Sequence, residues 1–308
     1  MRGLELQMLY SVEMCFHATR TSDAGSISGH HILSLFLRLV ESVSPTLAEE
    51  LHRDSAVKPF TLSPLLPFRR TRQPVRNEGE NIAFRITALD ERVFATLADA
   101  VWRLPPKAEL PLGNIHVRCQ SLATTPAQSV WADFTSFEQL RENAATDAKL
   151  RLDFLSATTF RSKGRRNILF PEPSLVFGSL LNRWNAIAGA DHRLELPETV
   201  MGLVRTSSYR LATRLLDFGS YQELGFGGQA TYGCSDNISA EYVKTLNTLA
   251  DFAFYAGVGA KTTMGMGQCR RSEDARALSH RTGGDPEKRG RPSRHQQRGT
   301  GAEENTGD

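Results

Sequence analysis

The chain has 308 residues and a formal net charge of +3, with 40% hydrophobic and 23% charged residues. That length and mix suit two domains with packed cores and exclude a chain disordered throughout. No apolar run approaches the roughly 18 residues of a membrane-spanning helix. The four cysteines, Cys15, Cys119, Cys234 and Cys269, stand far apart with no C-x-x-C pair, which argues against a zinc site and against a disulfide framework. The N-terminal stretch alternates and carries acidic residues, unlike a secretory signal, so a cytoplasmic location is expected. A charge this near neutral permits a nucleic-acid partner without requiring one.

In chain order, Leu4, Leu6, Met8, Tyr10, Val12, Met14 and Phe16 alternate with polar residues and predict a half-buried strand. After a Gly/Ser-rich loop, Ile32, Leu33, Leu35, Phe36, Leu39 and Val40 recur at helical spacing. Ser44-Pro45 opens a short helix through Leu51, because Ser caps and Pro tolerates the first helical position. Strands are predicted over 60–66 and 82–86, a helix over 90–102 and a strand over 115–119. With the short helix set aside, the order is βαββαβ, the ferredoxin-like arrangement.

The second half repeats that order. A strand is predicted over 150–155, a helix over 174–188, strands over 200–216 and 221–232, a helix over 240–255 and a last strand over 262–269. The expected architecture is therefore α+β. It has an N-terminal ferredoxin-like domain over 1–128, a C-terminal one over 129–271 and a disordered tail over 272–308. The tail is rich in Gly, Arg, Glu and Gln and has too few apolar side chains to offset its ordering entropy.

The densest local signal is Gly257-Val-Gly259-Ala-Lys261-Thr-Thr-Met-Gly265-Met-Gly267, between the last helix and the last strand. A P-loop needs Gly directly before its Lys, where Ala260 stands, and needs the strand before the loop. The dinucleotide fingerprint fails at its third glycine position, occupied by Thr262. A loop stripped of side chains, with Lys261, Thr262 and Thr263 as donors, can instead lie along a phosphate backbone. A tight turn using Gly at positive φ would need only one glycine.

This loop resembles the G-x-G-x₅-G-x-G signature of the CRISPR-associated endoribonucleases of Cas family six, which cut repeat RNA. Further stretches are similar to the same family in the same order: Gly29 to Val40, Lys58 to Pro64, Leu169 to Pro173, Ser179 to Trp184 and Phe226 to Gly228. The resemblance implies the tandem ferredoxin-like fold and a metal-independent ribonuclease that matures CRISPR precursor RNA. In that chemistry the ribose 2′-OH attacks its own 3′ phosphate, leaving a 2′,3′-cyclic phosphate and a 5′-OH. No cofactor is expected. The sequence offers no D-x-D, D-x-x-E or H-x-x-x-H pairing for a catalytic metal. Internal transesterification needs a base, an acid and cationic support, and imidazole suits the first two near neutral pH.

The family's usual histidine position falls, by alignment to Phe36, on Leu33. His30 shares that helix face one turn earlier. His31 stands at the helix entrance, where the dipole would lower its pKa and favour its basic form. Either can replace the missing imidazole, with His31 preferred. Lys58 and Arg38 are candidate cations with an ordinary surface role as the alternative. Tyr10 reads as core, and His17, His52, His116, His192, His280 and His295 read as structural or surface residues. The basic run Arg161, Lys163, Arg165 and Arg166 is expected to bind RNA together with Gly257, Gly259, Lys261, Thr262, Thr263, Gly265 and Gly267; the run over 69–76 could do so too. Phe252, Phe254 and Tyr255 read as core, and no RNP motif or base-stacking sheet is expected.

Two readings remain open. One is an active repeat-cleaving endoribonuclease. The other is a non-cleaving module of the same fold, holding repeat RNA or sitting in a CRISPR effector complex with other proteins. The first is preferred. The protein would act as a monomer or homodimer.

Overall fold

The computed structural model describes residues 7–20, 27–53, 55, 57–67, 78–161 and 166–272. The run over 69–76, the pair Lys163 and Arg165, and the tail from residue 273 onward lie outside them.

The first half begins with β1 (Met8–Arg20), α1 (Gly29–Glu41), α2 (Pro45–His52), β2 (Phe60–Leu65) and β3 (Asn81–Ala88). It continues through α3 (Glu91–Trp102), β4 (Leu110–Leu112), β5 (Ile115–Ala123), β6 (Asp133–Ser136) and α4 (Phe137–Glu142). Its antiparallel sheet runs β2-β3-β1-β5-β4, with β6 paired to the start of β1. Alternation along β1 sends Val12, Met14, Phe16 and Ala18 into a core closed by Ile32, Leu35, Phe36 and Leu39 of α1. Tyr10 is packed there too, stacked on Phe94 with ring centroids 3.8 Å apart.

The second half comprises β7 (Lys149–Thr158), β8 (Phe160–Arg161), β9 (Asn167–Ile168), α5 (Pro173–Ile187) and α6 (Glu198–Met201), followed by β10 (Val204–Asp217), β11 (Gln222–Cys234), α7 (Ala240–Ala256) and β12 (Cys269–Arg271). Its sheet order is β10-β11-β7-β12. Both halves thus place the first and third strands at the centre, as the two predicted βαββαβ repeats require. The second core is aromatic, with Trp184 between Phe137 and Phe252 at centroid distances of 4.7 and 5.0 Å.

Leu9 and Leu89 of the first half belong to this second core. Arg85 of β3 is fully buried where the halves meet. It donates to Ser11 Oγ at 2.7 Å, to Gln268 Oε1 at 2.9 Å and to the Phe254 carbonyl, with its guanidinium 3.9 Å from the Phe254 ring centre. Burial lowers its pKa to about 9, the nearby Tyr255 and Asp133 opposing the shift. Residues up to Ser272 form one compact unit.

Two predicted boundaries are corrected. The strand expected over 262–269 is a single 3-10 turn, Thr262–Met264, followed by β12 only from Cys269. Left-handed backbone at Lys261, Gly265 and Gly267 prevents an extended run before that point. The strand expected from residue 200 begins at Val204, because Val200 lies in α6. The short elements β4, β6, β8, β9, α4 and α6 have too few residues to show a period in sequence.

Candidate functional site

The candidate site lies where the start of α1 meets the glycine-rich loop. A Cβ on Gly29 would fall 1.9 Å from the Met264 carbonyl oxygen, so the first turn of α1 rests directly on the loop backbone. The next residue, His30, is half-buried and packs edge-to-face with rings of the β10–β11 connection. Its centroid is 5.3 Å from Phe218 and 6.1 Å from Tyr221. Those two rings stack on each other at 5.0 Å.

Lys261 reaches the same place from the loop. It is the one non-glycine residue with positive φ among those described, at 56°. Its Nζ donates to the Glu223 carboxylate and to Tyr221 Oη at 3.2 Å, and lies 4.4 Å and 5.0 Å from the Tyr221 and Phe218 ring centres. The other Glu223 oxygen accepts from Asn167 Nδ2 at 2.6 Å. Burial pushes the Glu223 pKa up, but hydrogen bonds from Lys261 and Asn167 and the charges of Lys261 and Arg161 hold it below the usual carboxylate value.

His31 is placed differently. Its Nδ1 accepts the Ser28 N–H at 3.2 Å, closing the first turn of α1 from the N3 position. Its ring packs against the β4–β5 turn, where a Cβ on Gly113 would meet Nδ1 at 2.7 Å. Burial first, and then the charge of His30, lower its pKa. The direction is the one expected from the helix entrance; the causes are desolvation and a like charge.

The glycines have local reasons. Gly257, Gly259, Gly265 and Gly267 all have positive φ. A Cβ would stand 2.4 Å from the Thr159 carbonyl oxygen at Gly259 and 2.2 Å from that of Val258 at Gly267. The turn argument therefore needs all four, not one. Many loop amides are already engaged: Val258 N–H bonds Gly267 O at 2.8 Å, Ala260 N–H bonds Thr159 O at 2.9 Å and Gly267 N–H bonds Ala157 O at 2.9 Å. Gly257, Gly265 and Gly267 are buried, whereas Gly259, Lys261 and Thr263 are half-buried.

Thr262 is buried, its hydroxyl bonded to Arg183 of α5 at 3.0 Å. Arg183 also donates to the Ala256 carbonyl at the end of α7. Burial lowers the Arg183 pKa to about 10, so the side chain remains a cation at neutral pH, set against the negative end of α7. Arg161 and Arg166, at the two ends of the basic run, are exposed.

Sequence reading brought His30 and Lys261 into view but missed Phe218, Tyr221, Glu223, Asn167 and Arg183. Arg183 stood inside the quoted Ser179–Trp184 stretch; the other four carry no local signal. Of the remaining candidates, Lys58 caps α2 through the Leu51 carbonyl at 2.8 Å and the Arg53 carbonyl, and Arg38 bonds Ser34 one turn back on α1. Leu33 packs, partly buried, on the first core. Among the described residues no group of three or more His, Cys, Asp or Glu side chains could hold a metal ion, and no helix is long and apolar enough to cross a membrane.

The α+β fold of two ferredoxin-like halves, with a glycine-rich loop seated on the first helix, places the chain in the structural class of tandem ferredoxin-like proteins. The family description "CRISPR Cas6 N-terminal domain" matches residues 8–142, and "CRISPR-associated endoribonuclease Cas6" matches residues 152–269. A solved Cas6 product complex is 30% identical, with TM-score 0.73 over 86% of this chain and 100% of that one. Thermus thermophilus Cas6 is 28% identical, with TM-score 0.66 over 86% of this chain and 98% of that one. The Cas6 endoribonuclease of Mycobacterium tuberculosis is 33% identical over 124 residues, 40% of this chain and 38% of that relative's length. The chain belongs to the CRISPR-associated endoribonuclease Cas6 family.

Proposed function

We propose that this protein is a metal-independent endoribonuclease that cleaves CRISPR precursor RNA within its repeats to give guide RNA. The observation that carries the reading is the convergence of His30, Lys261 and Tyr221 at the junction of α1 and the glycine loop. The reaction is an internal transesterification. The 2′-oxygen loses its proton to a base and attacks phosphorus, the bond to the 5′-oxygen breaks, and that oxygen takes a proton. The products are a 2′,3′-cyclic phosphate and a 5′-OH. An imidazole can serve either proton transfer, and the Lys261 ammonium can stabilise charge on the phosphorane.

His30 is the better imidazole on geometry. His31 spends Nδ1 on the Ser28 amide, so its neutral form carries the proton on Nε2 and protonation at Nδ1 would break the cap. His30 has its ring at the Lys261 cluster, while His31 holds the helix start beneath it. RNA would pass the exposed Arg161 and Arg166, at the two ends of the basic run, toward Gly259, Lys261 and Thr263, the accessible part of the glycine loop. Gly257, Thr262, Gly265 and Gly267 shape that loop from within.

Cleavage of the cognate repeat RNA in EDTA tests this, comparing wild type with His30→Ala and His31→Ala and including a substrate with 2′-deoxy at the cut. Wild type should cut, the 2′-deoxy RNA should survive, and His30→Ala should slow the chemical step by about 10²–10⁴-fold. His31→Ala should cost less. Tight RNA binding without cleavage by wild type would favour the non-cleaving module, with Leu33 marking a lost histidine.

A further inference from the structure

Glu223 is out of place at a site for a polyanion. It is a nearly buried carboxylate, 9% exposed, at the start of β11, just after the connection that carries the site's aromatic pair. Pairing it with Lys261 neutralises a cation that would otherwise attract RNA. A buried pair also gives little net stability over an apolar one, because both charges lose water. What it supplies is position.

An ammonium has three hydrogens. At Lys261 one points to Glu223 and one to Tyr221 Oη, while the Phe218 and Tyr221 rings lie below. Asn167 of β9 fixes the second Glu223 oxygen, so the carboxylate cannot rotate away without losing a bond. The Lys261 backbone is left-handed, and its side chain reaches Glu223 at the start of β11. The third hydrogen is then held in one direction, at the ring pair that His30 also packs against.

We propose that Glu223 is a positioning residue for RNA cleavage: through Asn167 and Tyr221 it stations the Lys261 ammonium so that one N–H meets the scissile phosphate next to His30. This deepens the endoribonuclease reading and rests on it. Glu223 itself touches neither the phosphate nor the ribose. Its removal changes the rate of the bond-breaking step and not the strength of RNA binding.

The test is single-turnover cleavage of repeat RNA by wild type, Glu223→Gln, Lys261→Ala and the double variant. Affinity is measured in parallel with 2′-deoxy repeat RNA, and folding by thermal melting. Glu223→Gln should slow cleavage by about 10–100-fold, the scale of an ångström-sized misplacement, with less than about a threefold change in affinity. In the Lys261→Ala background the same change should cost nothing more, since both act through one ammonium. Should Glu223→Gln melt early, Glu223→Asp replaces it; the shorter acid draws Nζ back and should slow cleavage similarly.

Unchanged or faster cleavage by Glu223→Gln, or an equal slowing with and without Lys261, overturns the proposal while leaving the endoribonuclease reading intact. A wild-type protein that binds repeat RNA and does not cut it overturns both.

Discussion

Gly259→Ala isolates what the glycine loop demands of its backbone. At Gly259 φ is +80°, and a Cβ would stand 2.4 Å from the Thr159 carbonyl oxygen. The left-handed conformation alone costs an L-residue about 1–2 kcal/mol. Thr159 O is main chain and cannot swing aside, and it accepts the Ala260 N–H at 2.9 Å. Parting the two segments would break that bond and strand the buried Thr159 carbonyl, at about 1–3 kcal/mol. The expected total is about 3 kcal/mol, which for a fold of this size lowers Tm by about 6–12 °C. Gly79→Ala is the control: its φ is +82°, with nothing within 4 Å of the added carbon, so it bears only the conformational part. Thermal melts of the two variants read the difference. Repeat-RNA binding should fall for Gly259→Ala alone, since the strain falls in the accessible part of the glycine loop. If the two variants melt together, the close-approach argument is refuted.

Four further outcomes are expected. Trp184→Ala removes a fully buried ring between Phe137 and Phe252 and frees the His192 carbonyl that its indole N–H bonds at 2.7 Å; urea denaturation should show a loss of about 3–5 kcal/mol. Arg183→Met unties Thr262 and the end of α7, so hydrogen exchange at Thr262 to Met264 should speed up while the strands of the first sheet stay protected. His31 has a folded-state pKa below its unfolded value, so its contribution is full above the unfolded pKa of about 6.5 and is lost as pH falls through the lower folded value. His31→Gln keeps a cap acceptor that does not titrate, and should flatten the fall in stability on acidification below about pH 6.5. Arg166→Ala should shrink the slope of log affinity against log salt by about 0.7 for repeat RNA, the signature of one lost phosphate contact.

Much of the fold is legible in sequence because it rests on local repetition. Alternation along β1 and the 3.6-residue spacing in α1 depend only on near neighbours, and each half repeats the same order of elements. The glycine motif is legible too, since its glycines recur at fixed intervals, but its second half reads as strand in sequence where left-handed backbone forms a turn. Even so, the sequence overstated what the glycines offer a ligand, because the backbone contacts that require them join the loop to Thr159 and to its own far end.

The choice between two adjacent histidines lies beyond sequence. His30 and His31 differ by one position, about 100° around a helix, and only the packed structure shows that one ring meets the β10–β11 turn and the other the β4–β5 turn. Lys261 and Glu223 stand 38 residues apart, and Arg183 and Thr262 stand 79 apart. No period links such pairs; they meet because the second sheet brings its strands beside the glycine loop while α5 packs along α7. The sequence determined two ferredoxin-like halves, the loop and the family. The tertiary structure decided which imidazole packs on the rings that Lys261 also meets and which acid pairs with that lysine, because both depend on how separately folded elements pack.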